Sequence, residues 1–323
     1  MKTSVIRWSL RLIGPLLFVL FLWRTDVNAI WTSLQNVLWM PVIVSLALMP
    51  FFIIIKAWRW RIIMQEIGLH PPAVRELSKI YTVGLFLGGT TPGQSGDFAK
   101  ALYLRDSTRP MSSLLFSIFI ERLCDVAAMA VMALIGLAAI AHTLDTSMQA
   151  TVQNSTLIMA AIIFIMLPAL LIKRSRDWGI NILRLVVPQR FKPTFDDITS
   201  KFAALDIKIV PALMLLVATM GSAISTAIRI ALLFYAMELS RIPLSAILGV
   251  TGQISLLQAL PISISGIGIR DAVLIALLQS YDYASAIAIA LSGLFLLINI
   301  EHIIIGFLYS LRYPIPNREE SHG

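Results

Sequence analysis

Long apolar stretches alternate with short polar ones along most of the chain. Two stretches, near 80–104 and 244–281, are apolar but broken by Pro, Ser and Gly. Since about 20 apolar residues in a helix cross a bilayer, the pattern predicts about six full spans and two interrupted segments. The uninterrupted apolar stretches lie near 12–23, 38–55, 113–141, 157–172, 209–237 and 284–311.

Composition agrees with an integral membrane protein. Of the 323 residues, 58% are hydrophobic and 14% are charged, and the mean hydropathy is +0.82. So little polar side chain cannot cover a soluble globule of this size. A single cysteine, Cys124, and scattered histidines predict no internal disulfide, no metal site and no cofactor. The net charge of +8 is not accompanied by an aromatic-and-basic binding module, so we expect no nucleic-acid partner.

Basic residues between the apolar stretches predict the orientation in the membrane. They are concentrated in 56–79 and 173–208, whereas 24–37, 142–155 and 238–243 carry at most one each. The positive-inside rule therefore predicts that the two basic segments and both termini are cytoplasmic. The segment 173–208 also mixes apolar and charged residues, which predicts an interfacial cytoplasmic linker.

These orientations require each interrupted stretch to enter and leave the membrane on one side. The stretch 80–104 must return to the cytoplasm and 244–281 must return to the outside, so both are predicted to be re-entrant hairpins. Each half then consists of helix, helix, hairpin and helix, over 12–141 in one orientation and 157–311 in the other. The chain is predicted to be one all-α transmembrane domain, 1–323, built as an inverted-topology repeat.

A weak internal repeat supports this division. Arg59 aligns with Arg229, and each is followed 36 residues later by a Ser-Gly pair that begins at Ser95 or Ser265. A planar guanidinium can hold a phosphate through two hydrogen bonds. Tryptophans flank Arg59, so a Trp–Arg belt at the membrane interface is an equal alternative there. The aliphatic neighbours of Arg229 favour a functional role instead.

Motifs in and beside the hairpins resemble those of a known family. Thr91–Asp97 (TPGQSGD) and Glu121–Asp125 (ERLCD) are similar to the P-x-x-x-G-[DE] and E-R-x-x-D patterns of the lysylphosphatidylglycerol synthase transmembrane, or flippase-like, family. Leu260–Asp271 resembles its P-x-x-x-x-G-x-G-x-R-[DE] signature. The resemblance implies a multi-pass lipid flippase of a bacterial or archaeal inner membrane. Because no soluble aminoacyltransferase domain follows the last apolar stretch, the resemblance carries over no synthase activity.

The candidate site is the cavity that the two hairpins would line. Irregular backbone at membrane depth needs protein or water partners, and half-helices starting near Gly96 and Gly268 would direct positive N-terminal ends at an anion. The alternative is that Pro and Gly only allow the hairpins to turn and pack. The candidate substrate-binding residues are Arg59, Pro92, Gly93, Ser95, Gly96, Asp97, Arg105, Glu121, Arg122, Asp125, Arg229, Pro261, Ser263, Ser265, Gly266, Gly268, Arg270 and Asp271.

Glu121 and Asp125 lie one turn apart on a single helix face, about 12 Å into the helix. Three roles fit such a buried pair: holding a cationic headgroup, relaying protons, or pairing internally with Arg105, Arg122 or Arg270. The three alternatives stay open at this point.

Two classes of function follow. The first is a flippase for a lipid with an anionic phosphate headgroup, such as a phospholipid, an aminoacyl-phospholipid or a polyprenyl-phosphate-linked lipid. No Walker motif is present, so transport is passive or driven by an ion gradient, with Glu301 and His302 as candidates for proton coupling. The second is a membrane enzyme acting on a lipid phosphate through the buried carboxylates. A lipid-binding accessory subunit is a further alternative. Membrane lipids are the expected partners, and a homodimer is left open.

Overall fold

A computed structural model of the protein describes residues 27–106, 108–140, 208–259 and 268–313, together with isolated positions between 161 and 200. Within these ranges the fold is entirely helical, as predicted. Its elements are α1 (Val27–Gln35), α2 (Trp39–Ala47), α3 (Met49–Glu66), α4 (Val74–Gly89), a 3-10 helix (Pro92–Tyr103), α5 (Met111–Ile140), α6 (Ile209–Ala236), α7 (Leu244–Ala259), α8 (Ile269–Gln279) and α9 (Ser285–Arg312).

Three of the predicted membrane spans, near 38–55, 209–237 and 284–311, are confirmed, whereas the stretch at 113–141 forms a helix whose membrane crossing stays a prediction. Three helical stretches of the described chain are long and apolar enough to cross a membrane: Trp39–Glu66, Ile209–Ala236 and Ser285–Arg312. The predicted spans at 12–23 and 157–172 and the linker at 173–208 lie outside the described residues, apart from isolated positions.

A proline interrupts the first of these stretches. Pro50 lies in the first turn of α3 and has no N–H to donate to the carbonyl of Leu46, so the helical hydrogen-bond ladder breaks at Leu48 between α2 and α3. The two helices still follow each other directly and together cover 28 residues.

Matching helices of the two halves lie 170 residues apart. The α2–α3 stretch begins at 39 and ends at 66, and α6 begins at 209 and ends at 236, a difference of 170 at both boundaries. The boundaries of α4 and α7 differ by the same amount. Arg59 and Arg229 share this offset and occupy equivalent helices. The inverted-topology repeat itself stays a prediction.

The interrupted stretch at 80–104 forms a helical hairpin. Two residues separate α4 from the 3-10 helix, which packs back along α4. A Cβ on Gly96 would lie 2.1 Å from the carbonyl oxygen of Leu87, and one on Gly84 would lie 2.6 Å from Oδ1 of Asp97. Because the later residue of the 3-10 helix contacts the earlier residue of α4, the two segments run antiparallel. Re-entry of this hairpin into a membrane stays a prediction.

The segment 56–79, predicted to be a cytoplasmic loop, is mostly helical. Lys56 and Arg59 lie inside α3 and are only 6% and 0% exposed. The connection between α3 and α4 is limited to 67–73. The positive-inside rule applies to basic residues in loops, so these two buried cations do not support a cytoplasmic position for this segment.

Apolar cores lie within the two halves and also between them. One core joins α3, α4, the 3-10 helix and α5, and a second joins α6, α7, α8 and α9 with Val37 and Val42 of the first half. A third joins α3 and α5 with Leu215 of α6. Between the halves, α3 packs on α6, α4 on α9, and α5 on α7. At the last of these crossings a Cβ on Gly136 would lie only 1.9 Å from Cα of Gly249, so only glycine allows this approach. Helices of both halves therefore surround a shared interior.

Candidate functional site

A cavity of about 170 Å³ lies in this shared interior, between helices of both halves. Apolar residues, among them Phe52 and Phe295, form part of its wall. Its charged and neutral polar side chains come from α3, the 3-10 helix, α5, α6, α7 and α9. They are Lys56, Gln94, Arg122, Asp125, Thr226, Arg229, Thr251, Ser255, Gln258, Asn299 and His302, together with the phenol of Tyr81.

Two smaller cavities continue this polar interior. One, of about 70 Å³, shares Gln94, Arg122 and His302 with the central cavity and is bordered by glycines of α4. The other, of about 20 Å³, shares Lys56 and Asp125 with it and extends along α6. The central cavity therefore continues towards the first hairpin and, separately, towards α6.

A buried network of charges from the first half forms one side of the cavity. Arg59 Nη2 lies 2.7 Å from Asp125 Oδ1 and 3.2 Å from Glu121 Oε1. Lys100 Nζ lies 2.6 Å from Glu121 Oε2 and 2.9 Å from Asp97 Oδ2. Two further pairs complete it: Lys56 with Asp125, and Arg122 with Asp97 at 2.6 Å.

Of the three roles considered for Glu121 and Asp125, internal pairing is the arrangement that the structure shows. Their partners are Lys56, Arg59 and Lys100 rather than the arginines considered from sequence. The reason is packing, because α3 presents two cations one turn apart to two carboxylates that are one turn apart on α5. Among those arginines, Arg105 follows the end of the 3-10 helix and is exposed, Arg122 pairs with Asp97, and Arg270 lies in a separate cluster.

Arg59 does not border the cavity. Its side chain is fully buried, and so is that of Trp60, whose Nε1 donates a hydrogen bond to Ser117 Oγ at 2.9 Å. Neither side chain reaches the surface, where a Trp–Arg interfacial belt would have to lie, so that alternative is wrong for this pair. Lys56, one turn earlier on α3, faces the cavity instead.

Arg229 is the cation that the second half contributes to the cavity wall. Its Nε donates to the backbone oxygen of Ser45 at 2.8 Å, and its Nη2 pairs with Glu301. Its Nη1 lies 3.0 Å from Nε2 of His302, whose ring stacks on Phe52 with centroids 5.9 Å apart. Since a guanidinium only donates, His302 Nε2 must be the acceptor and carries no proton in this arrangement. The two candidate proton-coupling residues therefore both contact Arg229, and proton coupling itself stays a prediction.

Arg122 of α5 is held in a similar way in the first half. Besides the ion pair to Asp97, its Nη1 donates to Gln94 Oε1 at 2.6 Å. The side chain of Arg122 remains 24% exposed, at the edge of the cavity. Gln94 has a φ of +54°, an unusual conformation for a residue other than glycine.

The first hairpin differs in detail from the prediction. Its second segment begins at Pro92, and Gly96 lies inside it, so the predicted half-helix start near Gly96 is wrong. The Gly96 N–H donates to Thr91 Oγ1 at 2.6 Å, which satisfies it within the chain. Gly93 lies in the same 3-10 helix, and Ser95 is exposed.

In the second stretch predicted to be a hairpin, α8 starts directly after Gly268, as predicted, and that glycine has a φ of +84°. The Gly268 N–H donates to Asp271 Oδ2 at 2.8 Å, so a carboxylate of the chain already caps this helix N-terminus. Arg270 donates to Ser292 Oγ at 2.7 Å, and Ser292 donates to Asp271. The expectation that this N-terminus directs its amides at a bound anion is therefore not supported. Pro261, Ser263, Ser265 and Gly266 lie outside the described residues.

One family model matches most of the chain. A family model described as lysylphosphatidylglycerol synthase TM region matches residues 8–306. The chain belongs to this family. The match includes the charged network of the first half and the residues around Arg229, and it confirms the resemblance that the motifs indicate. It supports a lipid-related membrane function for the family member described here. A search of curated proteins finds no match to the chain.

Proposed function

We propose that the protein is a flippase that moves a lipid with an anionic phosphate headgroup between the leaflets of the inner, or cytoplasmic, cell membrane. The observation that carries this proposal is the cavity between the two halves, whose wall contains Lys56 and Arg122 from one half and Arg229 from the other. Guanidinium and ammonium groups are the usual protein ligands of phosphate. Family membership supports a lipid as the molecule that carries the phosphate.

The charge of the site supports an anion. The network of the first half contains four cations, Lys56, Arg59, Lys100 and Arg122, against three carboxylates, Asp97, Glu121 and Asp125. The pair of Arg229 with Glu301 adds no net charge, so the described site has one positive charge in excess. An uncompensated charge in a membrane interior is costly. One phosphodiester would neutralise it.

The size of the cavity supports a headgroup rather than a whole lipid. Pockets for drug-sized ligands measure about 300–1,000 Å³, and this cavity is smaller at about 170 Å³. The acyl or polyprenyl chains would therefore stay in the bilayer while the headgroup passes between the halves. In this mechanism the halves form an inverted repeat with two re-entrant hairpins, and their relative movement opens the cavity to each leaflet in turn.

Transport explains the site better than catalysis does. Asp97, Glu121 and Asp125 are each held by lysine or arginine at the distances given above, and a carboxylate stabilised in its ionised form is a weak general base. A lipid-binding accessory subunit would use the same cavity and differ only in lacking translocation. The experiment that tests the proposal must therefore measure movement as well as binding.

The test is leaflet exchange in liposomes that contain the purified full chain. Acyl-labelled phosphatidylglycerol and phosphatidylcholine are compared by quenching the label from outside with a membrane-impermeant reductant. We expect faster exchange of the anionic lipid only, and loss of that exchange in Arg229→Gln. Arg241→Gln, at an exposed arginine in the turn after α6, is the matched control. Binding without exchange would favour an accessory subunit, and chemical conversion of the lipid would favour an enzyme.

A further inference from the structure

The two arginines that border the cavity share an arrangement of partners. In the first half, Arg122 directs Nη2 to a carboxylate, Asp97 Oδ2 at 2.6 Å, and Nη1 to a neutral acceptor, Gln94 Oε1 at 2.6 Å. The carboxylate is buried, with 1% of its side chain exposed. The amide of Gln94, by contrast, belongs to the wall of the cavity.

Arg229 repeats this arrangement from the second half. Its Nη2 pairs with the carboxylate of Glu301, and its Nη1 lies 3.0 Å from a neutral acceptor, Nε2 of His302. The ring of His302 borders the cavity, as the amide of Gln94 does. Gln94 and His302 are not related by the 170-residue offset, so the two halves reach the same arrangement with different residues.

We propose that Gln94 and His302 are exchange ligands, meaning neutral acceptors that hold one nitrogen of each arginine until a phosphodiester oxygen of the headgroup takes their place. This inference rests on the proposed function and names the contacts by which the headgroup is selected. On binding, Arg122 and Arg229 keep their carboxylates on Nη2 and direct Nη1 to the phosphate.

The strengths of the bonds decide which partner is exchanged. Replacing a neutral acceptor by an anionic oxygen gains electrostatic energy, because a hydrogen bond between two charged groups is stronger than one with a neutral partner. Replacing Glu301 would instead leave a carboxylate without the arginine that pairs with it, beside the incoming anion, and replacing Asp97 would leave a buried carboxylate with Lys100 alone. The neutral acceptors are therefore the partners that a phosphate displaces, and a zwitterionic headgroup, with no net charge, would gain less.

The backbone conformation of Gln94 supports a defined position for its side chain. Its φ of +54° is unfavourable for a residue with a side chain, and such conformations concentrate at functional sites. The other non-glycine residues with positive φ in the described ranges, Glu238 and Asp282, lie in turns just after α6 and α8, where this conformation is common. Gln94 instead lies in the first hairpin, where its side-chain amide contacts Arg122.

The test uses two substitutions of Gln94 that are expected to act in opposite directions. The full chain in detergent micelles is titrated with dioctanoyl phosphatidylglycerol as the probe, and with dioctanoyl phosphatidylcholine and inorganic phosphate as comparisons. Gln94→Leu removes the competing acceptor, so we expect the probe to bind about fivefold more tightly, the equivalent of one ordinary hydrogen bond. Gln94→Glu supplies a charged competitor, so we expect it to bind at least about tenfold more weakly.

His302→Phe is the corresponding change in the second half. It keeps an aromatic ring that can stack on Phe52 and removes the acceptor for Arg229 Nη1. We expect tighter binding of phosphatidylglycerol by a factor similar to that for Gln94→Leu. Because Gln94 belongs to the first hairpin and His302 to α9, damage to one of these elements would not give the same result in both variants.

The outcomes separate this inference from the proposed function. If the unchanged protein binds and translocates phosphatidylglycerol but Gln94→Leu and His302→Phe bind it equally or more weakly, the inference is wrong and the flippase proposal stands. If the unchanged protein binds inorganic phosphate but no lipid, or binds neither, the proposed function is wrong and the inference with it. Tighter binding in both variants, together with weaker binding in Gln94→Glu, supports the exchange.

Discussion

Gly136 in α5 and Gly249 in α7 contact each other through their backbones. A Cβ on Gly136 would lie 1.9 Å from Cα of Gly249, and one on Gly249 would lie 2.3 Å from Cα of Gly136. No side chain separates the two halves at this point, which sets the position of the carboxylates of α5 relative to the cavity wall of α7. The crossing is therefore a structural requirement for the site.

Gly249→Ala should destabilise the protein and slow lipid exchange. The added methyl group must push α5 and α7 apart, and overpacking of this kind costs about 1–3 kcal/mol. Thermal unfolding in micelles and lipid exchange in liposomes measure the two effects. Gly293→Ala in α9 is the matched control, since a Cβ there would meet nothing within 4 Å. Equal effects of the two substitutions would contradict the role given to the crossing.

Glu121→Gln should cause a larger loss of stability. The carboxylate of Glu121 pairs with Lys100 at 2.6 Å and with Arg59 at 3.2 Å, and it accepts a hydrogen bond from Tyr81 at 2.7 Å. Removing its charge leaves Lys100 with Asp97 and Arg59 with Asp125 only, and it raises the excess positive charge of the buried site from one to two, which costs about 3–5 kcal/mol. The free energy of unfolding in mixed micelles is the measurement.

The control for this substitution is Glu76→Gln, which removes a carboxylate that pairs with Lys79 on the surface of α4. We expect little change there, because water screens exposed ion pairs. A similar loss in both variants would show that the buried network does not have the structural role assigned to it.

Lys56→Gln should impair transport more than stability. Lys56 borders the cavity, and its removal takes the net charge of the site from one positive charge to none. Its partner Asp125 keeps Arg59 at 2.7 Å, so no carboxylate is left unpaired. We expect exchange of phosphatidylglycerol to fall about tenfold, the effect of losing one charge-assisted contact of about 1.4 kcal/mol.

Lys56→Arg provides the charge-conserving comparison and should retain most of the exchange. If Lys56→Gln translocates the anionic lipid as fast as the unchanged protein, the excess positive charge is not what selects the headgroup.

Asp271→Asn should reduce stability while leaving headgroup selection intact. Asp271 caps α8 and accepts a hydrogen bond from Ser292, and it is not part of the described cavity wall. Weakening these buried bonds costs about 1–3 kcal/mol. The preference of the folded variant for phosphatidylglycerol over phosphatidylcholine is the second measurement. Loss of that preference in a variant that melts normally would restore the sequence-based prediction of a substrate-binding role.

The helices were predictable because their signal is local. Each apolar stretch within the described ranges corresponds to a helix, and the Pro/Gly-rich segment at 90–96 marks the hairpin turn. The equivalent positions of Arg59 and Arg229 also followed from sequence spacing. What spacing does not reveal is the direction in which a side chain points, and Arg59 therefore belongs to the buried network rather than to the cavity wall.

The residues that sequence reasoning missed depend on long-range packing. Lys56 was assigned to a loop because it follows an apolar stretch, and its partner Asp125 lies 69 residues away. Lys100 was overlooked, although it is buried between Glu121 and Asp97 with its Nζ over the rings of Trp60 and Tyr81. A lysine in an apolar helical hairpin was the signal that could have found it. Gln94 gave no such signal, since its role depends on an unusual backbone angle.

The central claim is that one cavity opens to both sides of the membrane, and cysteine accessibility tests it most directly. Ser255→Cys places a thiol at the cavity wall in a Cys124→Ser background, in vesicles whose protein is uniformly oriented. A membrane-impermeant thiol reagent is applied from either side, and Ser240→Cys, at an exposed turn position after α6, is the control. We predict that Cys at 255 reacts from both sides and is protected by phosphatidylglycerol, while Cys at 240 reacts from one side. Reaction of the cavity thiol from a single side under all lipid conditions would contradict the account.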